Sequence, residues 1–254
     1  VENNNLGVWE NFTNRVKELI KTRDLSTFMT WDILINTMIA GVDNVEVEYL
    51  TNSKNWNFWI KNLEETVLKP NNHPTYQFSS TNNLHHAYSL QVLVDKLGKE
   101  LPSFNFVTEF GGGYGNMGRL FKKINNNVIY NIYDIPEFLT IQEYYLKENG
   151  VHDIILLNNN DVIEEVPEKS LFIALWSISE TPIANRINYI NNLKMFDYDT
   201  IFIAMGETFY DENNMSWLRN EIIPKLETLN FNCELIKIEH GNGMYYFLAD
   251  KVYK

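Results

Sequence analysis

One stretch limits what this chain can fold into more than any other: Phe106-Val107-Thr108-Glu109-Phe110, followed by Gly111-Gly112-Gly113-Tyr114-Gly115-Asn116-Met117-Gly118. A β-branched and aromatic run reads as a buried strand, and the glycines let the backbone turn sharply and approach a ligand before a helix starts. The competing reading is an ordinary strand-to-helix turn. The density of glycines directly behind an acid weighs against it.

From Phe104 onward short apolar runs alternate with helical stretches, which predicts a parallel sheet covered on both faces. The predicted strands are Phe104 to Phe110, Val128 to Tyr133, Ile154 to Leu157, Leu171 to Trp176 and Thr200 to Met205. Helices are expected near Asn116 to Ile124, Glu137 to Asn149, Pro182 to Met195 and Met215 to Leu229. The ending differs: Cys233 to Glu239, Gly241-Asn242-Gly243 and Met244 to Ala249 read as a hairpin, with the last strand antiparallel to the rest.

The first hundred residues carry the helical period instead, in Phe12, Val16, Leu19 and Ile20, and in Phe28, Trp31, Leu34, Ile35 and Met38, with Gly41 as the stop. A further helix runs through Trp56, Trp59, Ile60, Leu63 and Val67 to Pro70, and another from Thr81 or Asn82 to Leu97, stopped by Gly98. The expected organisation is a helical cap over residues 1–100 and an α/β ligand-binding domain over 101–254.

Charge and cysteine usage narrow the partners. A net charge of −12, with Lys and Arg scattered, argues against nucleic acid or an anionic membrane, both of which need a basic surface. Cys233 is the one cysteine, so no intrachain disulfide forms, which suits a reducing cytoplasm. The start, Val1-Glu2-Asn3-Asn4-Asn5, is polar, and no run approaches a membrane span.

The glycine loop fits two folds. Gly113-Tyr114-Gly115-Asn116-Met117-Gly118 satisfies G-x-G-x-x-G formally, but that frame starts two residues late for a dinucleotide fingerprint. Twenty-five residues after Glu109, the second strand ends in Tyr133-Asp134-Ile135-Pro136-Glu137. A carboxylate at that tip can accept both ribose hydroxyls. Asp134 also reads as a helix N-cap, and both roles can coexist.

Glu109-x-Gly111-x-Gly113-x-Gly115, Asp134-Ile135-Pro136, Gln142-Glu143-Tyr144-Tyr145-Leu146 and Ser177-Ile178-Ser179-Glu180 together resemble the class I methyltransferases that use S-adenosylmethionine. Within that class they are most similar to bacterial sugar O-methyltransferases. The resemblance, which covers Phe104 to Lys254, implies a Rossmann-like sheet of order 3-2-1-4-5-7-6 with the last strand antiparallel. It implies S-adenosylmethionine as cofactor, held by Glu109, Gly111, Gly113, Tyr114 and Gly115, with Asp134 on the ribose and Ile135 on the adenine. Asp161 or Asn160 would meet the adenine amino group, although an Asn-Asp run is also simply a turn, and Trp176 at the end of strand four would line the cleft. Gly118 would serve helix packing. No base-amine or cytosine-type motif follows strand four, so a small molecule or sugar is the expected substrate.

An O-methyltransferase must align the acceptor oxygen and remove its proton. The candidates, in order, are Glu180, then His86 or His85, then His240, with Glu207 a further one. His85 and His86 are neighbours on one helix, about 100 degrees apart, so at most one is expected to face the cofactor; a packed or solvent-facing pair is the plainer reading. Asp211-Glu212 reads as a surface pair, and no metal is expected. The acceptor is a sugar, a sugar nucleotide or a polysaccharide precursor; a phosphate-type or carboxylic acid is the alternative. An NAD-dependent oxidoreductase and a non-catalytic partner subunit are the rival classes.

Overall fold

The computed structural model describes residues 4–253; the start Val1 to Asn3 lies outside the described residues. Its centre is β1 (Phe106–Phe110), buried along its whole length and paired in parallel with β2 (Ile129–Tyr133) on one side and β4 (Ser170–Leu175) on the other. β3 (Ile154–Leu157) adds beyond β2, and β5 (Thr200–Gly206) beyond β4. The sheet closes with the hairpin β6 (Phe231–Lys237) and β7 (Met244–Lys251), and β7 runs antiparallel to β5. In this numbering the order is 3-2-1-4-5-7-6, the Rossmann-like α/β order that the sequence implied. The four helices expected after the glycine loop and the closing hairpin stand where periodicity placed them, within a few residues.

Successive strand residues serve two cores, as a two-residue period requires. Val107, Tyr130, Ile132, Ile173 and Phe202 face one apolar cluster, while Phe106, Phe110, Tyr133, Phe172 and Ile203 face the other. The second is covered by α8 (Ile183–Asn192) and by the helical run Asn214 to Thr228. The first is shared with α6 (Asn116–Ile124), α7 (Pro136–Glu148) and the N-terminal helices, so the cap and one face of the sheet bury a single core. Trp59 shows the quality of that packing: it is 1% exposed and its Nε1 donates to Gln91 at 2.6 Å.

The cap comprises α1 (Asn4–Thr22), α2 (Asp32–Met38), α3 (Asn44–Asn52), α4 (Trp56–Asn62) and α5 (Thr81–Leu97). It departs from expectation in three places. The helix predicted through Phe28 and Met38 is split into a 3-10 turn, Leu25–Thr30, and α2, with Trp31 extended between them. Asp24, Thr27 and Thr30 bond to nearby backbone groups there and compete with a continuous helix. α4 ends at Asn62, short of Val67. α3 was not predicted at all, because Val45-Glu46-Val47-Glu48 alternates like a strand; its signal was the capping box of Asp43 and Glu46. α5 runs as expected from Ser80, whose side chain accepts from Asn83 N, to the left-handed Gly98. The C-terminal helix contains a π turn at Leu218–Ile222, next to Pro224, which has no N–H to continue the ladder. No helix among the described residues is long and apolar enough to cross a membrane.

Candidate active site

A cavity of about 530 Å³ opens beyond the carboxyl ends of β1, β2 and β4. Ligands of open α/β sheets bind at this place because the strand order reverses there and leaves a crevice. One wall is the sheet: Glu109 to Gly113, Tyr133 to Ile135, and Leu175 to Ser177. The other is the cap: Trp9, Glu10 and Thr13 of α1, residues 36–40, and Asn82, His85 and His86 of α5.

The sheet wall is shaped by missing side chains. Gly111 has φ +73°, and a Cβ there would lie 2.4 Å from Ser177 Cβ, so neither the conformation nor the space admits another residue. A Cβ on Gly112 would lie 2.5 Å from Ile132. Gly115, at φ +97°, does not itself border the cavity; it is the N-cap of α6 and offers no capping side chain to the first turn, whose Asn116 and Met117 do border it. Gly118 lies inside α6, where a Cβ would come within 2.8 Å of Ile154; its job is helix-to-sheet packing, as expected.

Two acids stand in this wall. Glu109 is 8% exposed and accepts from Tyr130 Oη at 2.8 Å, yet burial, with a contribution from Asp134, raises its carboxyl to about 8. Asp134 accepts from Ile135 N at 2.8 Å and from Gln142 Nε2 at 2.7 Å, and burial still raises it to about 7. Gln142 also donates to Gly113 O at 2.9 Å, so one amide of α7 ties the strand-two acid to the glycine loop, while its own Oε1 is buried without a partner. Asp134 does not cap α7; Ile135 is the N-cap residue.

The cap wall is governed by hydrogen bonds between side chains. Asn82, His85 and His86 stand at i, i+3 and i+4, one stripe of α5, and all three border the cavity. Both histidines therefore face it, against the expectation of one, because a cavity this wide spans their angular separation. Their chemistry differs. Asn116 Oδ1 accepts from Arg119 Nε and Nη2 and from Tyr145 Oη, which fixes its amide and turns Nδ2 toward His86 Nδ1 at 3.0 Å. The lone pair of neutral His86 is thereby taken, and burial, with His85 and Arg119 nearby, lowers the imidazole to about 3. His86 is a neutral donor through Nε2 and not a base.

His85 Nδ1 meets Glu46 Oε1 at 3.0 Å, and Glu46, 2% exposed, also receives His240 Nε2 at 3.0 Å and Asp43 N at 3.2 Å. A carboxylate only accepts, so the neutral form of His85 is the tautomer with its proton on Nδ1 and its lone pair on Nε2. This is the arrangement of an oriented general base. His240 supports Glu46 from behind and does not border the cavity.

Other predicted residues are placed differently. Glu180, the first-ranked base, does not border the cavity: the 3-10 turn Ile178–Glu180 carries it off the strand end, and Ser177 and Thr181 border the cavity on either side. Its carbonyl accepts from Trp9 Nε1 at 3.1 Å, and burial raises its carboxyl to about 7. Asn160 and Asp161 close a turn instead, with Asn158 N donating to Asp161 at 2.7 Å, and Asn159 borders the cavity. Tyr114 borders it too, but its ring packs edge-on against Tyr145 and its hydroxyl accepts from Asn82 at 2.9 Å. Trp176 sits at φ +55° on the end of β4, a costly conformation for a bulky residue, held by its N–H on Ala204 O. Glu207 is exposed and accepts from Tyr245 Oη. Glu46, Gln142, Asn116 and Asn159 were missing from the candidates, although Glu46 had a capping box as its signal, Gln142 opens one of the motifs that carry the resemblance and Asn116 lies in the glycine stretch.

No family model matches the chain, and no curated protein matches it. Solved structures do align. PigF with S-adenosylhomocysteine is 10% identical over 61% of this chain, which spans about half (53%) of that one, with a TM-score of 0.42. The methyltransferase domain of bacterial Hen1 is 12% identical over 66% of this chain and 98% of its own, with a TM-score of 0.48. Magnesium protoporphyrin IX methyltransferase from Synechocystis, with S-adenosylmethionine bound, is 12% identical over 84% and 99%, with a TM-score of 0.47. At these levels of likeness the chemistry of the site has to come from this chain's own side chains.

Proposed function

We propose that the chain is an S-adenosylmethionine-dependent methyltransferase that acts on a hydroxyl of a small acceptor, with His85 as the general base. The observation that carries it is a glycine-walled cavity with two raised carboxyls on the sheet side and a carboxylate-held imidazole on the cap side. The residues fit the cofactor: a cationic, diol-bearing ligand offers charge to Glu109 and two hydroxyls to Asp134. A dinucleotide fits worse, because its diphosphate would lie beside Glu109, which sits immediately before the loop.

When bound, the cofactor supplies an electrophilic methyl group on a sulfonium sulfur. Gly111 and Gly112 would let the backbone approach it, the first turn of α6 would hold its carboxylate, and Ile135 and Trp176 would cover its apolar parts. His85 Nε2 takes the proton of the acceptor hydroxyl, and Glu46 stabilises the resulting imidazolium. His86 Nε2 orients the acceptor, and Asn82 braces the wall by bonding Ala40 N and Tyr114 Oη. The sugar-type acceptor and a place in polysaccharide synthesis rest on the sequence resemblance. Calorimetric titration of S-adenosylmethionine, S-adenosylhomocysteine and NAD tests the reading. One-to-one binding of the first two supports it, and preference for NAD overturns it.

A further inference from the structure

The walls of the cavity carry a charge pattern that bears on the acceptor. Glu10, Glu109 and Asp134 border it, and among the described residues no lysine or arginine does. Residues 1–8 add none, since Val1-Glu2-Asn3-Asn4-Asn5-Leu6-Gly7-Val8 contains neither type. The cations nearest in the fold are engaged elsewhere. Arg119 is turned to Asn83 and Asn116, with Glu65 at 3.7 Å. Arg186 donates to the carbonyls of Ser179 and Thr181 and to Asn214 Oδ1, and lies over the Trp217 ring; its Nη1 is buried without a partner and the residue does not border the cavity. Lys17, one turn beyond Thr13 on α1, stands 3.7 Å from Glu137.

A phosphate or carboxylate at the acceptor's place loses its hydration and finds three carboxyl groups and, among the described lining residues, no lysine or arginine, whereas anion sites recruit those residues. On the cap side the amide of Asn36 and the hydroxyl oxygens of Thr13 and Thr37, whose protons go to Trp9 O and Ile33 O, are neutral groups that suit hydroxyls. We infer that the part of the acceptor entering the cavity is uncharged or cationic, a neutral polyol, sugar or alcohol, and not a phosphorylated sugar, a sugar nucleotide or a carboxylic acid. This narrows the acceptor within the methyltransferase reading, on which it rests.

Ligand-observed NMR on the protein loaded with S-adenosylhomocysteine tests it with matched pairs: methyl glucoside against glucose 1-phosphate, benzyl alcohol against benzoate, and tyramine against 3-(4-hydroxyphenyl)propanoate. The neutral or cationic member is expected to bind at least about tenfold more tightly than its anionic partner, a factor equal to about 1.4 kcal/mol. Asn36→Lys, a change at an exposed position on the rim, is expected to narrow that gap. Anionic members binding as well as their partners, or no neutral or cationic member binding at all, overturns the inference. Failure of S-adenosylhomocysteine to bind counts against the methyl-donor reading instead, and the same pairs run on the unloaded protein still read the wall.

Discussion

The two walls of the cavity are made by different means. On the sheet side, position is set by backbone: strand ends, left-handed glycines and a helix start with no capping side chain, with Glu109 and Asp134 placed by strands buried on both sides. On the cap side, position is set by side chains that reach across helices distant in sequence: Glu46 of α3 to His85 of α5 and to His240 beyond β6, and Asn116 of α6 to His86. A wall made of backbone tolerates no added atom, whereas a wall made of hydrogen bonds can lose its chemistry and keep its shape. The sheet wall should therefore govern cofactor affinity and the cap wall catalysis, with little crossover.

The harshest way to break that division is Gly111→Val. The added side chain collides with Ser177 and strains the backbone, so S-adenosylhomocysteine affinity is expected to fall by 100-fold or more, equivalent to about 2.7 kcal/mol, in a calorimetric titration. Under the same conditions His85→Asn should leave that affinity unchanged. A large loss in the His85 variant would show that the walls are not independent.

Next in size is a pH effect on the sheet wall. Glu109 and Asp134 are raised to about 8 and about 7, so both are largely protonated at pH 6 without ligand and become ionised as pH rises. A cationic ligand favours the ionised form, so S-adenosylmethionine should bind on the order of tenfold more tightly at pH 8 than at pH 6, with proton uptake by buffer as the check. The uncharged thioether of S-adenosylhomocysteine should show a smaller change. The same shift has a stability consequence. A carboxyl raised on folding favours the folded state at low pH, and this contribution is lost as pH rises through the folded value. Glu109→Gln should therefore raise the melting temperature of the ligand-free protein at pH 8 and leave it unchanged near pH 4.5.

Glu46→Gln probes the cap wall with a smaller effect, about 1–3 kcal/mol of stability, because a buried charged acceptor shared by two imidazoles and the Asp43 N–H is lost. The distinguishing readout is the His85 ring, whose nitrogen shifts should report loss of the Nδ1–H tautomer while S-adenosylhomocysteine affinity stays the same. The smallest expected contrast is between Asn159→Ala and Asn160→Ala. The first should weaken cofactor binding by a few-fold and the second should not, since only Asn159 borders the cavity.

What was legible in the sequence follows the same division. Strand ends and the places of Gly111, Gly113 and Asp134 at the cavity could be read because backbone geometry writes itself locally, in glycines, in β-branched runs and in an acid at a fixed place after a strand. The pairing of His85 with Glu46 could not be read, because the partners are 39 residues apart and sit on elements whose crossing is decided by tertiary packing. The strand-like alternation of Val45 to Glu48 hid α3 as well. Glu180 was ranked first among the bases on its place after strand four, and one 3-10 turn was enough to carry it away from the cavity. Asn160 and Asp161 lie beside Asn159, which borders the cavity; a turn of four polar residues does not announce which of them faces inward.

The methyl donor is expected on the sheet wall, with its methyl group facing the base on the cap wall. A crystal structure with S-adenosylmethionine bound tests this most directly. The ribose hydroxyls are expected on Asp134, and the sulfonium methyl on the side of His85 Nε2, with room between them for one oxygen at about 3 Å from each. A ribose turned away from Asp134, or a methyl directed at Glu180 with His85 out of reach, would contradict it.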